Sequence, residues 1–281
     1  MTDWFTTSGG VRIAYHEVGA GDPAIVFIHG AYSNRRGFGF QEEYFSPNHR
    51  CIAVDLRGHG ESDKPDELYT MDQHGHDVAE LIRHLGLEKP VLVGQSMGGQ
   101  VVIAAAAHYP DLVGAIASLD SPSNIPGWHQ RFHGPYDHLM TKDGPFRETL
   151  IAFLSAAYLP TDDPSRLGGM AERLSHVPDH VILNSWLGKR EYDPTETLRG
   201  VRCPYLYIDC GQPDVDLELL RELCPQVVIG KTVGAGHKAL QDVPDQINAM
   251  LNRFIHHADG IAAEMVRTGG VFQYNLADAT I

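Results

Sequence analysis

The sequence predicts an α/β fold: a mostly parallel sheet with helices on both faces and an inserted helical segment. Short apolar runs ending in glycine or aspartate recur at AIVFIHG (24–30), CIAVDLRGHG (51–60), PVLVGQS (90–96) and LVGAIASLDSP (112–122). Stretches of helical spacing separate the later runs. The alternation breaks between 121 and about 200 and resumes at CPYLYID (203–209). Strands alternating with helices through short connections imply parallel pairing, and sites in such sheets lie beyond the carboxyl ends of the strands.

Each element has its own signal. VRIAYHEVG (11–19) has mixed strand character, and AIVFIHG is a buried strand closed by glycine. MDQHGHDVAELIRHLGL (71–87) sets Val78, Leu81, Ile82 and Leu85 at helical spacing, with Gly86 as C-cap. On this reading His74, His76 and His84 are exposed. GGQVVIAAAAHYP is a helix of small residues ended by Pro110. Beyond 203 come the strand CPYLYID, the helix LELLRELCP, the strand QVVIGKTV and the helix DQINAMLNRFIHH. Residues 1–120 and 201–257 are thus expected to form the core. Residues 121–200, with weaker helical pattern and much Pro, His, Trp and Tyr, are expected to form a cap, and 258–281 a tail.

The chain has 281 residues and a formal net charge of −14, with scattered Lys and Arg. A basic stripe for nucleic acid is absent, and anionic membrane surfaces would repel the chain. No apolar run approaches the roughly 18 residues of a membrane span. MTDWFTTSGG has neither the basic nor the apolar region of a secretion signal. The four cysteines, Cys51, Cys203, Cys210 and Cys224, form no CxxC pair and read as reduced thiols. The expectation is a cytoplasmic protein that acts on a small molecule, and a homodimer is compatible with the sequence.

The chemistry centres on VLVGQSMGG (91–99). GxSxG alone is weak, but here a strand precedes Ser96 and a helix follows it. That context is the strand–turn–helix elbow that exposes a serine hydroxyl. The turn brings backbones together, so residues 94 and 98 must be minimal. Serine needs a base within reach. Of sixteen histidines, His237 follows the last strand in a GAGH turn, beyond the same sheet edge as Ser96. His29 reads as structural, and His59 lies in a polar loop.

With FIHG (27–30), DLRGHGESD (55–63), GQSMGG (94–99) and GAGHKALQDVPDQINAML (234–251) in this order, the chain resembles the α/β-hydrolase superfamily. The resemblance covers all but the cap interior and the tail. It implies an eight-stranded sheet, a serine nucleophile at Ser96, a histidine base at His237, and an oxyanion hole at the backbone N–H groups of Ala31 and Met97. It implies no metal and no organic cofactor.

The acid is the contested position. Much of the family carries it in a G-x-x-D loop after the next-to-last strand, which suggests Asp214. There the register from PYLYI puts Pro213 where the acid would fall, and Asp214 and Asp216 read better as helix N-terminal residues. Asp120, in ASLDSPSN, lies where zearalenone hydrolase-like and haloalkane dehalogenase-like members place the acid. Asp120 is preferred, Asp214 is the alternative, and Asp209 is third.

Tyr32, Trp128 and Trp186 are pocket candidates; Trp128, Phe132, Tyr136 and Trp186 read equally as the cap's own core. The pairs His129/His133 and His176/His180 have zinc-like spacing, but no HExxH glutamate is present and Pro178 interrupts the second pair. The first reading of function is a serine hydrolase of a carboxylic ester or lactone. The alternatives are a C–C bond hydrolase of a meta-cleavage-type product, with Arg131, Arg147 or Arg190 holding its carboxylate, a cofactor-free oxygenase, and a low-turnover binding protein.

Overall fold

The computed structural model describes residues 1–122, 133–160, 162–165, 169–189, 192–211 and 215–268. Eight strands form one sheet: β1 (Asp3–Thr6), β2 (Arg12–Val18), β3 (Ile25–Ile28), β4 (Cys51–Val54), β5 (Val91–Gln95), β6 (Ala115–Leu119), β7 (Tyr205–Asp209) and β8 (Val227–Lys231). Their spatial order is β1-β2-β4-β3-β5-β6-β7-β8. The β1–β2 and β2–β4 pairs are antiparallel, and all later pairs are parallel. β1 is an element the sequence reading omits.

Strand periodicity builds two cores. Val26, Ile28, Ile52, Val54, Leu92 and Ile116 face one layer, made by α2 (Met71–His84), α3 (Met97–His108), α7 (Pro194–Gly200) and α8 (Leu217–Leu223). Ile25, Phe27, Ala53, Val93 and Ala117 face the other, made by α1 (Gly39–Phe45), α9 (Ala239–Asp242) and α10 (Pro244–Thr268). Strands apolar on both sides are what a sheet covered on both faces requires. The last helix runs past His257 to Thr268, so the first residues of the expected tail are helical. Its remainder, from 269, lies outside the described residues.

Between β6 and β7 lie α4 (Phe146–Ser155), α5 (Met170–Ser175) and α6 (Asp179–Leu187). They enclose an apolar cluster of their own, including Phe146, Leu150, Met170, Leu174, Ile182 and Trp186.

His74 departs from expectation: it is fully buried. It shares the inward stripe of α2 with Met71, Val78 and Leu81, residues spaced three or four apart. Gly75 beside it lets that face approach α3, where a Cβ would stand 3.0 Å from the Ala105 nitrogen.

Because β3 pairs with both β4 and β5, the connections leave its two sides in opposite directions. A crevice opens at such a reversal, outside the carboxyl ends of the strands. The loops after β3, β5 and β6 all open there.

Candidate active site

The turn at Ser96 is built by close backbone approach. A Cβ at Gly94 would lie 2.1 Å from the Gly98 carbonyl oxygen, and one at Gly98 would lie 2.1 Å from the Ile28 carbonyl oxygen. Ser96 adopts φ 55° and ψ −119°, a region costing a side-chain-bearing residue about 1–3 kcal/mol. Four non-glycine residues have positive φ among the described residues; Tyr32, Ser96 and Asp120 are three of them. Strain thus gathers at the ends of β3, β5 and β6. The Ser96 N–H donates to the Leu119 carbonyl at 2.9 Å, holding the elbow against the end of β6.

The next residue, just past the end of β6, is Asp120, only 2% exposed. Its N–H donates to the Ile208 carbonyl of β7 at 2.9 Å. Its Oδ2 lies 2.6 Å from Nδ1 of His237, whose side chain is 14% exposed. A carboxylate can only accept, so Nδ1 carries the proton and the lone pair stays on Nε2. The His237 loop is held from the segment after α4. Asp162 accepts from the Gly236 N–H at 3.1 Å and from the Leu159 N–H at 2.8 Å.

The Gln95 side-chain amide occupies the other side of the imidazole. Its nitrogen lies 3.2 Å from Nε2 and donates to the His237 carbonyl at 3.1 Å. Ser96 and His237 line the same cavity, but in this structure Nε2 takes its hydrogen bond from Gln95, not from the serine.

His29 shapes the loop after β3. Its Nε2 accepts from the Leu56 N–H at 3.1 Å, so its Nδ1–H donates to the Gly30 carbonyl at 2.7 Å. Pinning that carbonyl fixes the Gly30–Ala31 peptide, whose N–H points the opposite way across a trans bond. Ala31 and Met97 both line the cavity, and the Met97 N–H, in the first turn of α3, lacks an intrahelical acceptor.

The cavity measures about 570 Å³ and reaches from Ser96, Asp120 and His237 to Leu150, Phe153 and Trp186. Residues 23–166 match the family described as alpha/beta hydrolase fold. The chain belongs to the α/β-hydrolase family. A 112-residue stretch is 40% identical to 2-(acetamidomethylene)succinate hydrolase of Mesorhizobium japonicum and covers 40% of each chain. The chain therefore matches about two fifths of that relative's length. A solved E-2-(acetamidomethylene)succinate hydrolase superposes with a TM-score of 0.72 at 26% identity, covering 91% of this chain and 99% of that one. An esterase from Thermogutta terrifontis superposes with a TM-score of 0.77 at 23% identity, covering 92% and 99%.

Within this α/β-hydrolase the acid candidates separate. Asp120 bonds His237. Asp209 is engaged elsewhere, pairing with Lys231 at 2.8 Å and accepting from the Gly211 N–H at 2.8 Å. Asp216 caps α8 through the N–H groups of Glu218 and Leu219. Asp214 lies outside the described residues.

The DLRGHGESD motif serves as scaffold. Asp55 pairs with Arg35, and Arg57 grips Asp77 through two contacts of 2.6 and 2.5 Å. His59, expected in a polar loop, is buried and packs near His29 and His74. Burial pushes its pKa down to about 3 and those of His29 and His74 below the usual imidazole value.

Tyr32 and Trp186 line the cavity. Trp186 also belongs to the apolar cluster between β6 and β7, stacks on His133 at 3.9 Å and donates to Asp137 at 2.7 Å. It is both core and wall. Trp128, His129, Arg131, Phe132 and Arg190 lie outside the described residues. Arg147 is tied to the Leu174 and Val177 carbonyls and to Asp179. The His180 ring donates to the Lys64 carbonyl at 3.0 Å. Among the described residues, no group of three or more His, Cys, Asp or Glu is arranged for a metal ion, and no helix is long and apolar enough to cross a membrane.

Sequence reading missed Gln95, Asp162 and Lys189. Gln95 had one available signal: a polar residue ending an otherwise apolar strand, immediately before the serine.

Proposed function

We propose that this chain is a serine hydrolase that cleaves a carboxylic ester or lactone of a small, largely apolar or aromatic molecule. The observation that carries the reading is the 2.6 Å bond from His237 Nδ1 to buried Asp120, in a cavity shared with Ser96. Substrate entry moves the Nε2 hydrogen bond from the Gln95 amide to the Ser96 hydroxyl. His237 takes the hydroxyl proton as Ser96 attacks the carbonyl carbon. The Ala31 and Met97 N–H groups receive the developing oxyanion. The protonated imidazole, held by Asp120, returns its proton to the leaving alkoxide. Water, deprotonated by the same histidine, then releases the acid and regenerates the serine. The segment carrying α4, α5 and α6 acts as a cap that selects the acyl group, while α7, at the end of the expected 121–200 insertion, packs on the sheet core. The free state of the four cysteines supports a reducing compartment, the cytoplasm.

A second reading, cleavage at a conjugated amide or C–C bond, draws support from the 40% identical segment shared with 2-(acetamidomethylene)succinate hydrolase. A panel of 4-nitrophenyl esters of graded acyl length, with lactones followed by pH-stat, tests the first reading. Turnover that is lost in Ser96→Ala is expected. Folded protein inert toward every ester and lactone would overturn it.

A further inference from the structure

Lys189 lies just beyond α6 and lines the same cavity as Ser96 and His237. Its side chain is buried, with the residue 6% exposed. The ammonium stands 5.3 Å from the centroid of the Tyr32 ring, a cation–π distance. No carboxylate pairs with it among the described residues. Among the described residues, the buried imidazoles of His59 and His74 feel its charge, and they offer no negative charge. A lysine buried without an anion is a costly arrangement in a folded protein. Burial alone pushes the Lys189 pKa down to about 8, so the group is largely cationic at neutral pH.

The surroundings state what would complete it. Much of the wall facing the sheet edge is apolar, from Leu150, Phe153, Leu154 and Trp186. One ammonium in such a wall matches one negative charge. A phosphate dianion would need further donors to replace its hydration.

We propose that Lys189 is the anchor for a carboxylate on the substrate, which makes the substrate a compact ester or lactone bearing one free acid group. This deepens the hydrolase reading and rests on it. The carboxylate sits against the ammonium beside Tyr32. Because Tyr32 follows Ala31 in the chain, that contact also sets the distance between the acid group and the oxyanion position. The selectivity is for charge at one end of the molecule and an apolar or aromatic body between the two ends.

Calorimetric titration of the full chain at pH 7 with 4-phenylbutyrate and 4-phenylbutyramide, which differ only in the charged end, tests this. Wild-type protein is expected to bind the carboxylate at least about tenfold tighter, the scale of one charged hydrogen bond. Lys189→Met equalises the two probes, and Lys189→Arg keeps the preference. Thermal unfolding checks that both variants fold. Equal affinities in the wild type, a preference that survives in Lys189→Met, or no binding of either probe would overturn the proposal. Fluorophosphonate labelling of Ser96, run alongside, keeps the two readings apart. Labelled protein without a charge preference sinks only the Lys189 anchor. Unlabelled protein that still prefers the carboxylate sinks the hydrolase reading and leaves the anchor standing.

Discussion

Asp120→Asn removes one charge and almost no volume from a site that is 2% exposed. The Nδ1–Oδ2 distance is 2.6 Å, which puts the charge centres of an imidazolium–carboxylate pair about 4 Å apart. At an effective dielectric of about 20 that attraction is about 4 kcal/mol. It acts only once His237 has taken the serine proton, so its loss falls on the transition state. About 4 kcal/mol is close to a thousandfold in rate. The amide adds a second effect. Its NH2 can donate to Nδ1, which turns the imidazole to the tautomer with the proton on Nε2 and no lone pair toward the serine. The same exchange in a Ser-His-Asp protease lowers kcat about 10⁴-fold. The expected loss for Asp120→Asn is therefore about 10³- to 10⁴-fold in kcat, with KM little changed. Steady-state hydrolysis of the best 4-nitrophenyl ester measures it, with thermal unfolding as the folding control. A folded Asp120→Asn protein within tenfold of wild type would refute the assignment of Asp120 as the orienting acid.

Three further outcomes follow from the geometry. His29, His59 and His74 have folded pKa values below the unfolded imidazole value, with His59 at about 3. Below about pH 6.5 the unfolded chain binds protons the folded chain refuses, so stability falls with pH by up to about 1.4 kcal/mol per unit for each imidazole. Urea midpoints at pH 7 and pH 5 measure this, and equal midpoints would contradict it. Gly94→Ala sets a methyl 2.1 Å from the Gly98 carbonyl oxygen and should cost more than about 3 kcal/mol. Gly260→Ala, in α10 with nothing within 4 Å of the new Cβ, should stabilise by about 0.5–1 kcal/mol. Paired denaturation curves test the contrast. Asp162→Ala frees the Gly236 N–H and lets the His237 loop drift, so kcat should drop about 10- to 100-fold with little change in unfolding temperature.

The legible parts of the molecule are those where a pattern forces a position. Strand periodicity at Val26/Ile28 and Ile25/Phe27 could only mean a sheet covered on both faces. The glycines around Ser96 mark contacts that no side chain can enter. β1 was not legible because it is a four-residue edge strand with Trp4 exposed, too short to show alternation. His74 was misread from its chemistry, although its spacing from Val78 and Leu81 puts it on the buried stripe. Asp120 could be preferred from its place at a strand end, with Asp214 kept as the alternative because its G-x-x-D loop also follows a strand. What separates Asp120 from Asp209 is which neighbour each carboxylate faces, a matter of three dimensions. Gln95 and Lys189 show the same limit. A single polar side chain at the end of a strand or helix follows no periodicity, and its direction is set by packing from distant segments.

The central claim is that Ser96 is an activated nucleophile. Incubation of the folded protein with a fluorophosphonate, followed by intact-mass and peptide mass spectrometry, tests it most directly. The account predicts one adduct per chain, located on Ser96, and a greatly slowed reaction in His237→Ala. Folded protein with no adduct, or an adduct on another residue with Ser96 unmodified, would contradict it.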